Sequence, residues 1–142
     1  MQFENPPDDV IREILARPRR IAVVGCSPDP TRDSHRIAGL LRDRGHVVMP
    51  VNPRCHEILG TMCYASLREV PGPVEMVDIF RRADEAGAVV DEAIVVGASI
   101  VWLQLGVIDV GAAVRAQAAG LTVVMDRCPA IEYRRLFSPG DC

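Results

Sequence analysis

Five short apolar runs, at residues 20–25, 46–51, 74–80, 99–105 and 121–126, punctuate this chain, and helix-patterned segments separate most of them. Residues 34–44, 83–96 and 109–119 place apolar side chains at helical spacing; in the first of these, Ile37, Ala38, Leu40 and Leu41 face inward and Gly45 ends the helix. A short helix over 8–17, stopped by Pro18, precedes the first run, and another over 130–137 follows the last. Strands that alternate with helices of roughly 10–15 residues build βαβ units and a parallel sheet. The runs are apolar throughout, as strands are when helices cover both faces. The expected fold class is therefore α/β: a Rossmann-like, doubly wound, parallel five-stranded sheet in three α/β/α layers, with strand order 3-2-1-4-5. The one long irregular stretch is 53–73, with a helical turn near 66–70; its length marks it as a functional loop.

Length and composition narrow the classes. The 142 residues fit one domain spanning 1–142, with a core from about 10 to 137. Aromatics make up 4% of the chain, so the core must be aliphatic. A net charge of −3 argues against non-specific nucleic-acid binding. No apolar run is long enough to span a membrane, and the acidic N-terminus lacks the basic and apolar regions of a signal peptide, so a cytoplasmic protein is expected. The five cysteines are odd in number, widely spaced and free of any C-x-x-C pair; neither a disulfide framework nor a metal site is expected. All 16 basic residues are arginine. Without lysine, the polypeptide can offer neither Schiff-base chemistry nor the lysine of a Walker phosphate loop.

In open parallel sheets, ligands bind beyond the carboxyl ends of the strands at a topological switch point, here expected between strands 1 and 4. The first strand ends on Gly25-Cys26-Ser27, where Gly25 permits close backbone approach and Ser27 offers a hydroxyl. Residues 28–33, Pro-Asp-Pro-Thr-Arg-Asp, replace the later glycines of a dinucleotide turn and make a longer, stiffer loop. Ser34 is the expected N-cap of the next helix, with Arg32 and Arg36 beside its start. The second strand ends Val51-Asn52-Pro53-Arg54. NAD-binding domains usually place a carboxylate there, to accept from the ribose hydroxyls. Its replacement by Arg54 favours a ligand with additional phosphate at its adenosine end, and leaves NADP open.

The ordered set Val24-Gly25-Cys26-Ser27 with Arg32 and Ser34, Pro50-Val51-Asn52-Pro53, Glu57-Ile58-Leu59-Gly60, Tyr64-Ala65-Ser66-Leu67, Val77-Asp78-Ile79-Phe80-Arg81, Val101 to Gly106 and Gly120 to Cys128 resembles the CoA-binding domain family. These are small stand-alone Rossmann-like proteins related to the N-terminal domain of the succinyl-CoA synthetase α subunit. The resemblance implies that coenzyme A or an acyl-CoA lies across the switch point. Gly25, Cys26 and Ser27 would then hold phosphate, with Arg32 and Arg54 meeting the charge of the nucleotide end. Val51, Asn52 and Pro53 would flank the adenosine, and Ile79, Phe80 and Arg81 would line the other wall. With no catalytic set in view, the expectation is a non-catalytic carrier, sensor or accessory protein whose partner is the small-molecule ligand; charge and the short apolar runs argue against nucleic acid and membrane, and a homodimer through an exposed helix or the final segment is an option. An NADP-dependent oxidoreductase or nucleotide-binding regulator is the alternative.

No catalytic constellation is legible. His35, His46 and His56 have no partners at catalytic spacing, and only His56 lies in the long loop. Cys26 stands where the thiol of coenzyme A could form a mixed disulfide, whereas Cys128, in Asp126-Arg127-Cys128-Pro129, reads as an inert structural cysteine. Gln104 could bond a pantetheine amide, and Trp102 reads as packing.

Overall fold

The structure is a computed structural model that describes residues 2–137. Five strands form one parallel sheet: β1 (Arg20–Val24), β2 (Val47–Val51), β5 (Met76–Ile79), β6 (Ile100–Gln104) and β7 (Thr122–Arg127). The helices are α1 (Asp8–Ala16), α2 (Asp33–Asp43), α3 (Ala83–Val96), α4 (Val110–Ala118) and α5 (Pro129–Leu136). Strand side chains alternate between two aliphatic cores. Ala22, Val24, Val77, Ile79, Val101 and Leu103 pack with α3 and α4 on one face. Ile21, Val23, Met76, Ile100, Trp102 and Val124 pack with α1, α2 and α5 on the other. The result is the expected three-layer Rossmann-like fold.

The strand order differs from expectation. It runs β2-β1-β5-β6-β7, so the third strand of the sheet lies inside, beside the first, instead of outside the second. Pro50 gives the reason. The N–H of Val47 donates to Arg19 O and Val51 O accepts from Gly25 N–H, so the odd-numbered residues of β2 face β1. Pro50 therefore faces outward and has no N–H to give a further strand, which confines β2 to an edge. The outer edge is also occupied: Tyr64 N–H donates to Pro50 O and Asn52 N–H to Tyr64 O, at 3.0 and 2.9 Å. Tyr64 belongs to the long loop, which also folds a small hairpin, β3 (Glu57–Ile58) with β4 (Thr61–Met62), and a 3-10 turn at Leu67–Glu69. The switch point thus falls between β1 and β5, adjacent strands, and not between the first and fourth.

A buried polar network ties α5 to α1 and to the segments that enter β1 and β2. His46 Nδ1 accepts from Arg19 N–H at 3.1 Å, so the ring proton sits on Nε2 and points to Tyr133 Oη at 2.9 Å. The Tyr133 hydroxyl donates onward to Leu15 O. Burial lowers the His46 pKa and pushes the Tyr133 hydroxyl up to about 12, so both are neutral near pH 7. These bonds anchor Tyr133 of α5 at the amino ends of β1 and β2, while Ala130, Ile131 and Arg134 of the same helix form a wall of the cleft described next.

Candidate functional site

The chain leaves β1 at Gly25, whose φ is +87°. Its N–H donates to Val51 O, and next to it Phe80 N–H donates to Val24 O, so the turn is clamped between β2 and β5. A Cβ at Gly25 would lie 2.3 Å from Phe80 O, so no other residue fits. The crest of β1 is therefore bare backbone, open to a ligand.

Side chains then brace the loop. Ser27 N–H donates to Ser34 Oγ at 2.9 Å, Asp29 N–H to Ser27 Oγ at 3.0 Å, and Thr31 N–H and Oγ1–H both donate to Asp29 Oδ1. The Thr31 bonds lower the Asp29 pKa, which keeps the carboxylate charged and the turn closed. Ser34 was expected to cap α2. Instead α2 begins at Asp33 with Arg32 at the N-cap, and the Ser34 hydroxyl accepts from the turn. The first i→i−4 bond of α2 is Arg36 N–H to Arg32 O, so the N–H groups of Asp33, Ser34 and His35, in the first turn of the helix, have no partner within it.

Above this turn opens a cleft of about 940 Å3 between the start of α2 and α5. Gly25, Ser27, Arg32, Ser34, Phe80 and Arg81 line it, six of the twelve residues expected at the site. A smaller hollow of about 480 Å3 lies on the α3 side of the sheet, lined by Val51 and Pro53. Gly25 and Arg81 border both. The remaining four line neither hollow. Ile79 is wholly inside the core. Asn52 is used structurally: its Nδ2–H donates to Cys26 O at 2.9 Å and its Oδ1 accepts from Arg54 N–H. Arg54 is exposed. Cys26 is fully buried in the α2 core, and burial pushes its thiol up to about 12, which leaves it inert to a ligand thiol.

Arg36 and Gln104, which the sequence suggested beside the turn and against a pantetheine amide, line the larger cleft; so do Arg82 and Arg134, which sequence reasoning left out, and Cys128, which it read as structural. Five arginines therefore surround it (Arg32, Arg36, Arg81, Arg82, Arg134) against one carboxylate, Asp33, in a chain of net charge −3. Some are already engaged: Arg36 with Asp33, and Arg81 and Arg82 with Glu85. Arg32 and Arg134 have no ion pair among the described residues. Concentrated positive charge at the start of a helix is an anion site. Deeper in, Gln104 is 9% exposed and its Oε1 has no hydrogen-bond partner among the described residues. A buried acceptor left bare costs about 1–3 kcal/mol, which a ligand N–H would recover. Around it Leu40, Leu105, Val107 and Ile131 make the cleft apolar.

Beneath the turn, Asp78 on β5 is completely buried, and neither carboxylate oxygen has a partner among the described residues. Burial raises its pKa well above the ordinary value, which favours the neutral acid. Among the described residues no group of His, Cys, Asp and Glu is arranged to hold a metal ion, and no helix is long and apolar enough to cross a membrane.

A parallel sheet with a bare backbone crest at its switch point and an arginine-rimmed cleft on its carboxyl edge defines the class as a Rossmann-like α/β protein. Comparison of sequences narrows the class. Residues 19–134 match the CoA binding domain family, and the chain belongs to it. It is 39% identical over 126 residues to the uncharacterized protein YneT of Bacillus subtilis, covering 89% of this chain and 93% of that one. A solved structure, a hypothetical protein from Pyrococcus horikoshii, superimposes with a TM-score of 0.88 at 39% identity, covering 97% of this chain and all (100%) of that one. A 63-residue segment is 40% identical to the α subunit of the ADP-forming acetate–CoA ligase II of Pyrococcus furiosus, covering 44% of this chain and 14% of that subunit.

Proposed function

We propose that this protein binds coenzyme A or an acyl-CoA without transforming it, as a carrier, sensor or accessory protein. The observation that carries the reading is the charge of the cleft, five arginines facing one carboxylate on a net acidic chain, beginning at a turn that excludes any side chain. In this reading the pyrophosphate rests over Gly25 and Ser27 at the start of α2, with Arg32 and Arg81 as counter-charges. The adenosine occupies the smaller hollow against Val51 and Pro53. Asp84, Glu85 and Glu92 on its α3 wall accept from ribose hydroxyls or the adenine amino group, and exposed Arg54, next to Pro53, is left for the additional phosphate. The pantetheine arm runs along the apolar part of the larger cleft and gives Gln104 Oε1 the amide donor it lacks. Residues 10–137 act as one binding unit in this account. Membership of a CoA binding domain family and the partial match to a CoA ligase subunit support the choice of ligand.

Titration calorimetry with coenzyme A, acetyl-CoA, NADP and NAD tests it. Coenzyme A should bind at least ~10-fold more tightly than either dinucleotide, a gap of about 1.4 kcal/mol. Binding of NADP at equal or higher affinity, with hydride transfer from NADPH to a carbonyl substrate, would select the oxidoreductase reading instead.

A further inference from the structure

We propose that Cys128 is a thiol–disulfide exchange site, which captures the sulfur end of coenzyme A as a mixed disulfide. The inference rests on the coenzyme A reading above and adds a covalent step to it.

Two observations at the far end of the cleft carry it. The first is position. Cys128 lines the larger cleft at the N-cap of α5 and is partly exposed. Of the other described cysteines, Cys26 and Cys63 are buried, and half-buried Cys55 lines neither hollow. The second is Gln104, the nine-tenths-buried side chain on the same cleft whose Oε1 lacks a partner and so calls for a ligand donor. The backbone is shaped to bring Cys128 and Gln104 together. Leu103 pairs with Met125, but Gln104 pairs with Arg127, leaving Asp126 as a bulge with φ of 61°. Asp126 Oδ1 accepts from Gly106 N–H at 2.8 Å, and Trp102 Nε1–H donates to Arg127 O at 2.9 Å, which pins both sides of the bulge. A bulge of this kind re-aims the residues that follow it.

The reach is right. From β1, where the phosphates would sit, to β7 is three strand spacings, about 14 Å. The pantetheine arm contains roughly four residues' worth of backbone bonds, about 13–14 Å when extended. A coenzyme A anchored at Gly25 and passing Gln104 therefore ends near Cys128.

The co-reactant is a disulfide of coenzyme A. The Cys128 thiolate attacks the sulfur of the docked half. The Sγ–S bond forms as the original S–S bond breaks, and the second thiol leaves with the electron pair and takes a proton from water. Cys128 is oxidised, and one thiol equivalent of the disulfide is reduced.

The test uses the full chain, reduced and desalted, then mixed with coenzyme A disulfide or with glutathione disulfide, and followed by intact mass and peptide mapping. The expected product carries one coenzyme A on Cys128. It should form at least ~10-fold faster than the glutathione adduct, because docking raises the effective concentration of the reacting sulfur. Cys128→Ser should lose that fast adduct, with a thermal melt to verify that the variant is folded. An adduct mapped to Cys55 or Cys142, or equal rates with the two disulfides, would overturn the inference while leaving coenzyme A binding intact in a titration with the reduced cofactor. No binding of the reduced cofactor would overturn the binding reading, and this inference with it.

Discussion

Gly25→Ala should weaken the fold and the site together, and the structure sets the size of the effect. The added Cβ would meet Phe80 O at 2.3 Å, where ordinary contact begins at 3.4 Å, so β1 and β5 must part by roughly 1 Å at the switch point. The left-handed backbone adds about 1–2 kcal/mol of strain for a residue with a Cβ, and forced separation of packed backbone typically adds about 1–3 kcal/mol. The sum is about 2–5 kcal/mol. Gly97→Ala supplies the control. Gly97 has φ of +82°, but nothing lies within 4 Å of its Cβ position, so only the backbone strain applies. Urea denaturation of the three proteins, followed by circular dichroism, gives both differences. The reasoning requires Gly25→Ala to cost at least ~1 kcal/mol more than Gly97→Ala and to lower coenzyme A affinity, with Gly97→Ala leaving affinity alone. Equal losses of stability in the two variants would show that the β1–β5 contact at Gly25 is not tight, and would refute the argument for a bare crest.

Arg81→Ala removes the cation that borders both hollows and should cost ~10–100-fold in coenzyme A affinity by calorimetry, as expected for a charged hydrogen bond. Its stability should change by less than ~1 kcal/mol, because the Arg81–Glu85 pair is over a third exposed. Asp78→Asn should stabilise the protein progressively as pH rises: the buried acid keeps its proton while the unfolded chain releases it above 3.8. The difference from wild type should grow by about 1.4 kcal/mol per pH unit above that value until the buried acid itself ionises, and denaturation curves at several pH values that run parallel would contradict it. His46 behaves oppositely. Its folded pKa is lowered, so the unfolded chain binds the extra proton first, and wild-type stability should fall as pH drops below 6.5. His46→Gln should flatten that decline in melts between pH 7 and 5.

The strand–helix alternation was written in the period of the apolar residues, and it led directly to a parallel, helix-covered sheet. The strand order was also within reach. Pro50 in the second apolar run removes a ladder donor on its outward side and so disfavours a full strand there, but that signal is local and is easily outweighed by an assumed nucleotide-binding topology. The near half of the site was legible as the sequence Gly25-Cys26-Ser27, since a glycine ending a buried strand has few other uses. The division of labour among its neighbours was not. Asn52 and Ser34 look like ligand contacts by residue type, and only their bonds to the turn show that they brace it. The far half was hidden for a different reason. Gln104 was legible at the end of its strand, but Cys128 reaches the cleft after a one-residue slip at Asp126, and a bulge leaves no mark on hydrophobic periodicity. Arg134 reaches it from α5, whose place on the sheet rests on the His46–Tyr133 bond, a contact between residues 87 apart.

A crystal structure of the protein grown with coenzyme A bears on the account most directly. It should show phosphate oxygens over the Gly25–Ser27 backbone and the pantetheine arm passing Gln104 toward Cys128. Cofactor density on another surface, or a cleft filled by its own arginines with the cofactor left in solution, would contradict it.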